Sequence, residues 1–233
     1  MARRSLEIAA ASICGVLYAI VGYASYLGIF APIVGVVRFW PSVFVPAVFS
    51  IVFGPWVGGT GAAIGIFISD MAIHGNALLS LSVGVPANFA GFYVVGLLSK
   101  IRGRKWGAAA VLEQLGAILI TIVCWRMAWL PWEVAAVFLV GMLIAVIITS
   151  IFSIKENAAG IVFAASTGLL VGSAIIGVGV YAYSQFFTLP NGESNLSIIA
   201  ALLWFLWTYV TEVPFIVSLT PPIVAVAEKV VRH

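Results

Sequence analysis

Val134-Ala-Ala-Val-Phe-Leu-Val-Gly-Met-Leu-Ile-Ala-Val-Ile-Ile-Thr-Ser-Ile-Phe-Ser-Ile154 runs its whole length without a charged side chain. A helix rises 1.5 Å per residue, so about 20 such residues cross the ~30 Å hydrocarbon layer of a bilayer. The rest of the chain repeats this pattern. Of its 233 residues, 63% are hydrophobic and 8% charged, and the mean hydropathy is +1.19. Soluble domains carry about 25% charged residues. So few charges cannot cover a water-facing surface, and the composition predicts an all-α, polytopic transmembrane bundle forming one domain over 1–233, with no soluble domain.

Working outward from 134–154, eight apolar segments are candidates for spans: about 6–29, 39–54, 56–74, 83–99, 107–127, 134–154, 158–187 and 197–226. The second and third are short and separated only by Gly54-Pro55, where proline ends one helix and opens the next. The loop charges test the count. With the N-terminus inside, Arg3, Arg4, Lys100, Arg102, Arg104, Lys105, Lys155, Lys229 and Arg232 all fall on the inner side. Only Arg38 and Arg126 of the 11 Lys and Arg fall outside. This bias is the positive-inside pattern. Merging segments two and three would put the Lys100 cluster outside, so both termini are expected in the cytoplasm. The first apolar run is too long for a signal-peptide core of about 7–15 residues and reads as a retained helix. Trp40, Trp129 and Trp132 lie near the outer side, as interfacial tryptophans do.

Signatures of soluble chemistry are missing. The net charge of +3 is spread over short clusters between apolar runs, so no nucleic-acid surface is expected. Gly54–Gly65 is glycine-rich but has no lysine and is not a phosphate loop. There is no His-Glu-x-x-His motif, and only His74 and His233 are histidines. Cys14 and Cys124 fall inside apolar runs and read as small packing residues. No metal, cofactor or catalytic residue is expected. An intramembrane hydrolase using His74 would lack a nucleophile elbow around any serine.

Two kinds of feature remain. Small residues recur every four positions at Ala11, Gly15 and Ala19, and again at Gly54/Gly58 and Gly61/Gly65. Each set makes a flat helix face, suited either to internal packing or to contact with a partner. Ionisable groups inside spans are costly and point to function. Asp70 and His74 share a face of the third segment. Glu212 lies mid-span in the last, beside Pro214, as a hydrogen-bonded helix contact or a functional group. Glu113 is placed to pair with a basic residue of the Lys100–Lys105 loop. At the outer depth, Trp40, Asn76, Asn88, Tyr181, Gln185 and Asn191 add the amides and aromatics usual in a small-molecule pocket.

The segment Arg38-Phe-Trp-Pro-Ser-Val-Phe-Val-Pro-Ala-Val-Phe-Ser-Ile-Val-Phe-Gly-Pro-Trp-Val-Gly-Gly-Thr-Gly-Ala-Ala-Ile-Gly-Ile-Phe-Ile-Ser-Asp70 resembles the substrate-binding S components of energy-coupling factor (ECF) vitamin transporters. There a short proline-bearing helix leads into Phe-Gly-Pro and a glycine-rich helix ending near an aspartate. The small-residue repeat Ala11, Gly15, Ala19 and the stretch from Pro221-Pro222 to Glu228-Lys229 also fit. S components usually have six spans, and about 107–154 is a surplus pair here. The metal-specific branch has histidine after Met1. Ala2 stands there in this chain, so cobalt or nickel transport is not implied.

The resemblance implies a substrate-capture subunit in a prokaryotic plasma membrane. It would bind a vitamin-like organic solute from outside through Arg38, Trp40, Asp70, His74, Asn76, Asn88, Tyr181, Gln185 and Asn191. Arg38 would meet an anionic group and Trp40 would stack on a ring. The chain would dock through Ala11, Gly15 and Ala19 on a membrane coupling subunit driven by two cytoplasmic ATPases. The alternative is a structural or anchoring subunit of another membrane complex, with the surplus helices as assembly surfaces.

Overall fold

The computed structural model describes residues 2–29 and 40–231. Among them there is no strand, and the chain is an all-α bundle. Its helices are α1 (Ala2–Ala24), α2 (Pro41–Phe53), α3 (Pro55–Ile73), α4 (Ala77–Leu98), α5 (Arg104–Arg126), α6 (Trp132–Phe152), α7 (Glu156–Ser184) and α8 (Ile198–Val231). Seven are long and apolar enough to cross a membrane, and α2 is the shorter apolar one. The polypeptide is therefore a polytopic membrane protein.

The breaks between helices follow from local chemistry. Gly54 takes φ +108 and ψ 163, a conformation that strains any residue with a Cβ. Pro55 then opens α3, where its missing N–H is harmless. Although short, α2 runs between the two ends of the bundle. At one end Trp40 packs on Gly22 of α1. At the other Pro55 packs on Gly96 near the end of α4. The remaining helices alternate in the same way. Asn76 bonds Tyr183 at the first end, while at the second Gly160 lies against the Ile101 carbonyl and Gly107 against Ser153.

The turn between α3 and α4 is much tighter than the connection expected over 75–82. Gly75 ends α3 with φ +67, its N–H donating to the Asp70 carbonyl at 3.0 Å. Asn76 caps α4, its Oδ1 accepting from the Leu79 N–H at 3.0 Å. The helix then passes through a π-helical turn at Ser80–Gly84.

Close packing rests on glycine. On α3, a Cβ at Gly61 would lie 2.5 Å from Cys14 Sγ, and one at Gly65 would lie 2.7 Å from the Gly15 carbonyl oxygen. α1 therefore sits backbone-to-backbone on α3. Gly58 does the same for Ser50 of α2, whose hydroxyl donates to the Phe92 carbonyl of α4. Gly91 of α4 meets Gly168 and Gly172 of α7. The pair α5 and α6 packs together and against α7 and α8. Gln114 Nε2 donates to Thr149 Oγ1 across that pair at 2.8 Å.

Candidate functional site

The close helix contacts leave a cavity of ≈ 200 Å³ in the half of the bundle nearer Trp40. It is half open and lined by α1, the start of α2, α3, α4, α7 and α8, with no lining residue from α5 or α6. The charge bias of the loops predicts that this end faces outside. The glycines that bring α4 and α7 together, Gly91, Gly168 and Gly172, form one wall.

A hydrogen-bonded chain stiffens the opposite wall. Trp40 Nε1 donates to Tyr18 Oη at 3.2 Å. Tyr18 Oη donates to Asn88 Oδ1 at 2.8 Å, and Asn88 Nδ2 donates to the Gly84 carbonyl at 2.9 Å. Phe92 meets the Tyr18 ring edge-on at 6.0 Å. This chain ties α1, α2 and α4 into one frame, and its members face the cavity.

Asp70 and His74 also line the cavity. Ser80 Oγ, within the π-helical turn, donates to Asp70 Oδ2 at 2.6 Å. His74 Nδ1 accepts from the Asn76 backbone N–H at 3.1 Å. Its proton therefore sits on Nε2, 3.5 Å from Asp70 Oδ1. Both carboxylate oxygens of Asp70 are thus engaged by their own neighbourhood, and the pair fixes the α3–α4 turn over the cavity.

Of the expected pocket residues, Trp40, Asp70, His74 and Asn88 come together around the cavity. Arg38 lies outside the described residues. The other four do not line it. Asn76 is occupied by its cap and by Tyr183, to which its Nδ2 donates at 3.1 Å. Gln185 is exposed and donates to the Tyr181 and Leu196 carbonyls. Asn191 is exposed and donates to Glu193 Oε2 at 2.8 Å. Tyr181 lies with them beyond the cavity mouth, at the end of α7. Their residue types suited a ligand, but loop and cap geometry takes the side-chain amides of Asn76, Gln185 and Asn191.

The small-residue face of α1 is also placed differently from the docking expectation. Ala11, Gly15 and Ala19 are buried. A Cβ on Gly15 would lie 2.9 Å from Ile64 Cγ2 and 3.3 Å from the Gly61 carbonyl oxygen. α3 covers that face, because its own glycines admit α1 so closely. What α1 turns outward is Ile13, Val16, Leu17 and Ile20. Glu113 does not pair with the basic loop either. Its Oε2 accepts from Ser166 Oγ and its Oε1 from Thr167 Oγ1, both at 2.7 Å. Ser166 in turn lies 2.7 Å from Tyr209 Oη.

Tyr18, Phe92, Ser173 and Thr208 line the cavity without having been expected from the sequence, and Glu212, read there as an in-span acid but not as a pocket residue, lines it too. Glu212 and Thr208 stand one turn apart on α8 and so share a face. Among the described residues no hydrogen bond or ion pair holds the Glu212 carboxylate. Ser173 is fully buried, and its Oγ has no hydrogen-bond partner among the described residues.

No family model, curated protein or solved structure matches the chain. The class it occupies, a polytopic helical membrane protein, rests on the helices themselves.

Proposed function

We propose that this chain is the solute-capture subunit of an ECF-type importer, binding a small organic solute in the cavity framed by Tyr18, Trp40, Asp70, Asn88 and Glu212. The observation that carries the reading is the half-open cavity, whose aromatic walls hold a few convergent polar groups. That is the usual make-up of a small-molecule site. At ≈ 200 Å³ it lies below the roughly 300–1,000 Å³ of drug-sized pockets, so the solute is small. The resemblance of Arg38–Asp70 to S components supplies the transport context. In that context the chain sits in a prokaryotic plasma membrane and borrows its energy from a membrane coupling subunit and two cytoplasmic ATPases.

Purification from native membranes in mild detergent tests this. Co-elution with a membrane subunit and two ATPases supports capture and delivery. A stable complex with other proteins and no ATPase favours the anchoring-subunit alternative.

A further inference from the structure

We infer that the solute held in this cavity carries a positive charge, as an ammonium, an amidinium or a cationic ring nitrogen, seated on the Glu212 carboxylate. This rests on the reading of the cavity as a solute site and names the chemistry that the site selects.

The described lining contains two carboxylates, Asp70 and Glu212, and neither lysine nor arginine. The two acids are not equivalent. Asp70 is held by Ser80 and His74, whereas Glu212 has no partner among the described residues. Removing a carboxylate from water without a counter-charge is unfavourable, and a cationic ligand group relieves it. A third intramembrane acid, Glu113, is satisfied by two hydroxyls away from the cavity, which sets Glu212 apart. Arg126, at the end of α5, does not line the cavity, and its guanidinium lies 5.9 Å from the Trp125 ring.

Two further features suit a cation. Tyr18, Trp40 and Phe92 line the same space, and aromatic faces attract cations. The fully buried, unpartnered Ser173 Oγ also lines it and can accept a hydrogen bond from a ligand N–H. Among the described residues, a neutral or anionic solute would leave Glu212 without a counter-charge.

The test uses the full chain in lipid nanodiscs and three ring-bearing probes of matched size: 2-phenylethylammonium, 2-phenylethanol and 3-phenylpropanoate. The ammonium is expected to bind at least about tenfold tighter than either of the others, since a partly buried carboxylate with no partner among the described residues pairs well with a cation. Glu212→Gln should erase that preference. Glu113→Gln, with its acid outside the cavity, should keep it. The wild-type charge series decides the question even if Glu212→Gln folds poorly. Equal binding of all three probes, or tightest binding of the anion with loss of that preference in Arg38→Gln, overturns the inference while leaving the solute site standing. Failure of every probe to bind, with no small molecule retained by the purified protein, removes the solute-site reading and the inference with it.

Discussion

At Gly65 an added Cβ would lie 2.7 Å from the Gly15 carbonyl oxygen and 2.8 Å from Tyr18 Cδ1. Backbone atoms cannot swing aside as a side-chain tip can. Gly65→Ala should therefore push α1 off α3, disturb Tyr18, and cost about 1–3 kcal/mol. A clear fall in thermal unfolding temperature in detergent is the expected reading, and unfolding at the wild-type temperature would contradict it. The same contacts show what was legible at this scale. Spacing alone established that Ala11, Gly15 and Ala19 form a smooth face. It could not say whether that face meets α3 or another protein, because Gly61 and Gly65 make an equally smooth counterpart within the chain. Asn76 is the complementary case. Gly75-Asn76 is a helix stop followed by a cap, a local signal that accounts for the asparagine without a ligand. Glu212 was visible as an acid within a span, but its exposure to a cavity depends on how α8 is rotated against α3 and α7.

The element that positions Asp70 is the π-helical turn Ser80–Gly84 in α4. Such turns carry one residue more than regular helix and often occur at functional sites. Here the turn brings Ser80 Oγ to Asp70. It also sets Gly84, where a Cβ would lie 2.8 Å from Asp70 Oδ2, against the same carboxylate. Deleting the exposed Ser82 should restore regular helix and rotate Ser80 by about 100° away from Asp70. The lost hydrogen bond to a charged group should cost about 1.5–3 kcal/mol, read as a lower unfolding temperature, while Ser82→Ala should unfold like wild type. An unchanged deletion variant would show that the turn has no such role. Hydropathy located α4 but began it at 83, because the polar Ser80-Leu-Ser82 stretch reads as a loop when each residue is taken alone. The helices α5 and α6 were located correctly. That they stand outside the cavity wall is a matter of packing, invisible in the order of segments.

Over the whole molecule, alternating helices and the charge bias together define an orientation. Asn157 is an exposed residue in the first turn of α7 and Ser194 an exposed residue of the loop that follows that helix, and the native Cys14 and Cys124 are fully buried. Ser194→Cys should react with a membrane-impermeant maleimide on intact cells, and Asn157→Cys only after permeabilisation. The reverse pattern would invert the topology and turn the cavity toward the cytoplasm. The seven helices long enough to cross a membrane were legible because each is a long apolar run bounded by charge or proline, whereas the second expected span is the shorter α2. The cavity was not, since it is the space left where glycine contacts between α1 and α3 and between α4 and α7 bring the backbones together around larger side chains. Its occupancy carries the functional account. The most direct measurement is mass spectrometry of small molecules released on denaturing the purified chain, compared with a Ser173→Leu variant that narrows the cavity and elutes as a single folded species. We expect one small organic compound in near-stoichiometric amount from the wild type and its loss from the variant. Equal retention by both proteins, or no retained compound in either together with no binding of any probe, would contradict the account.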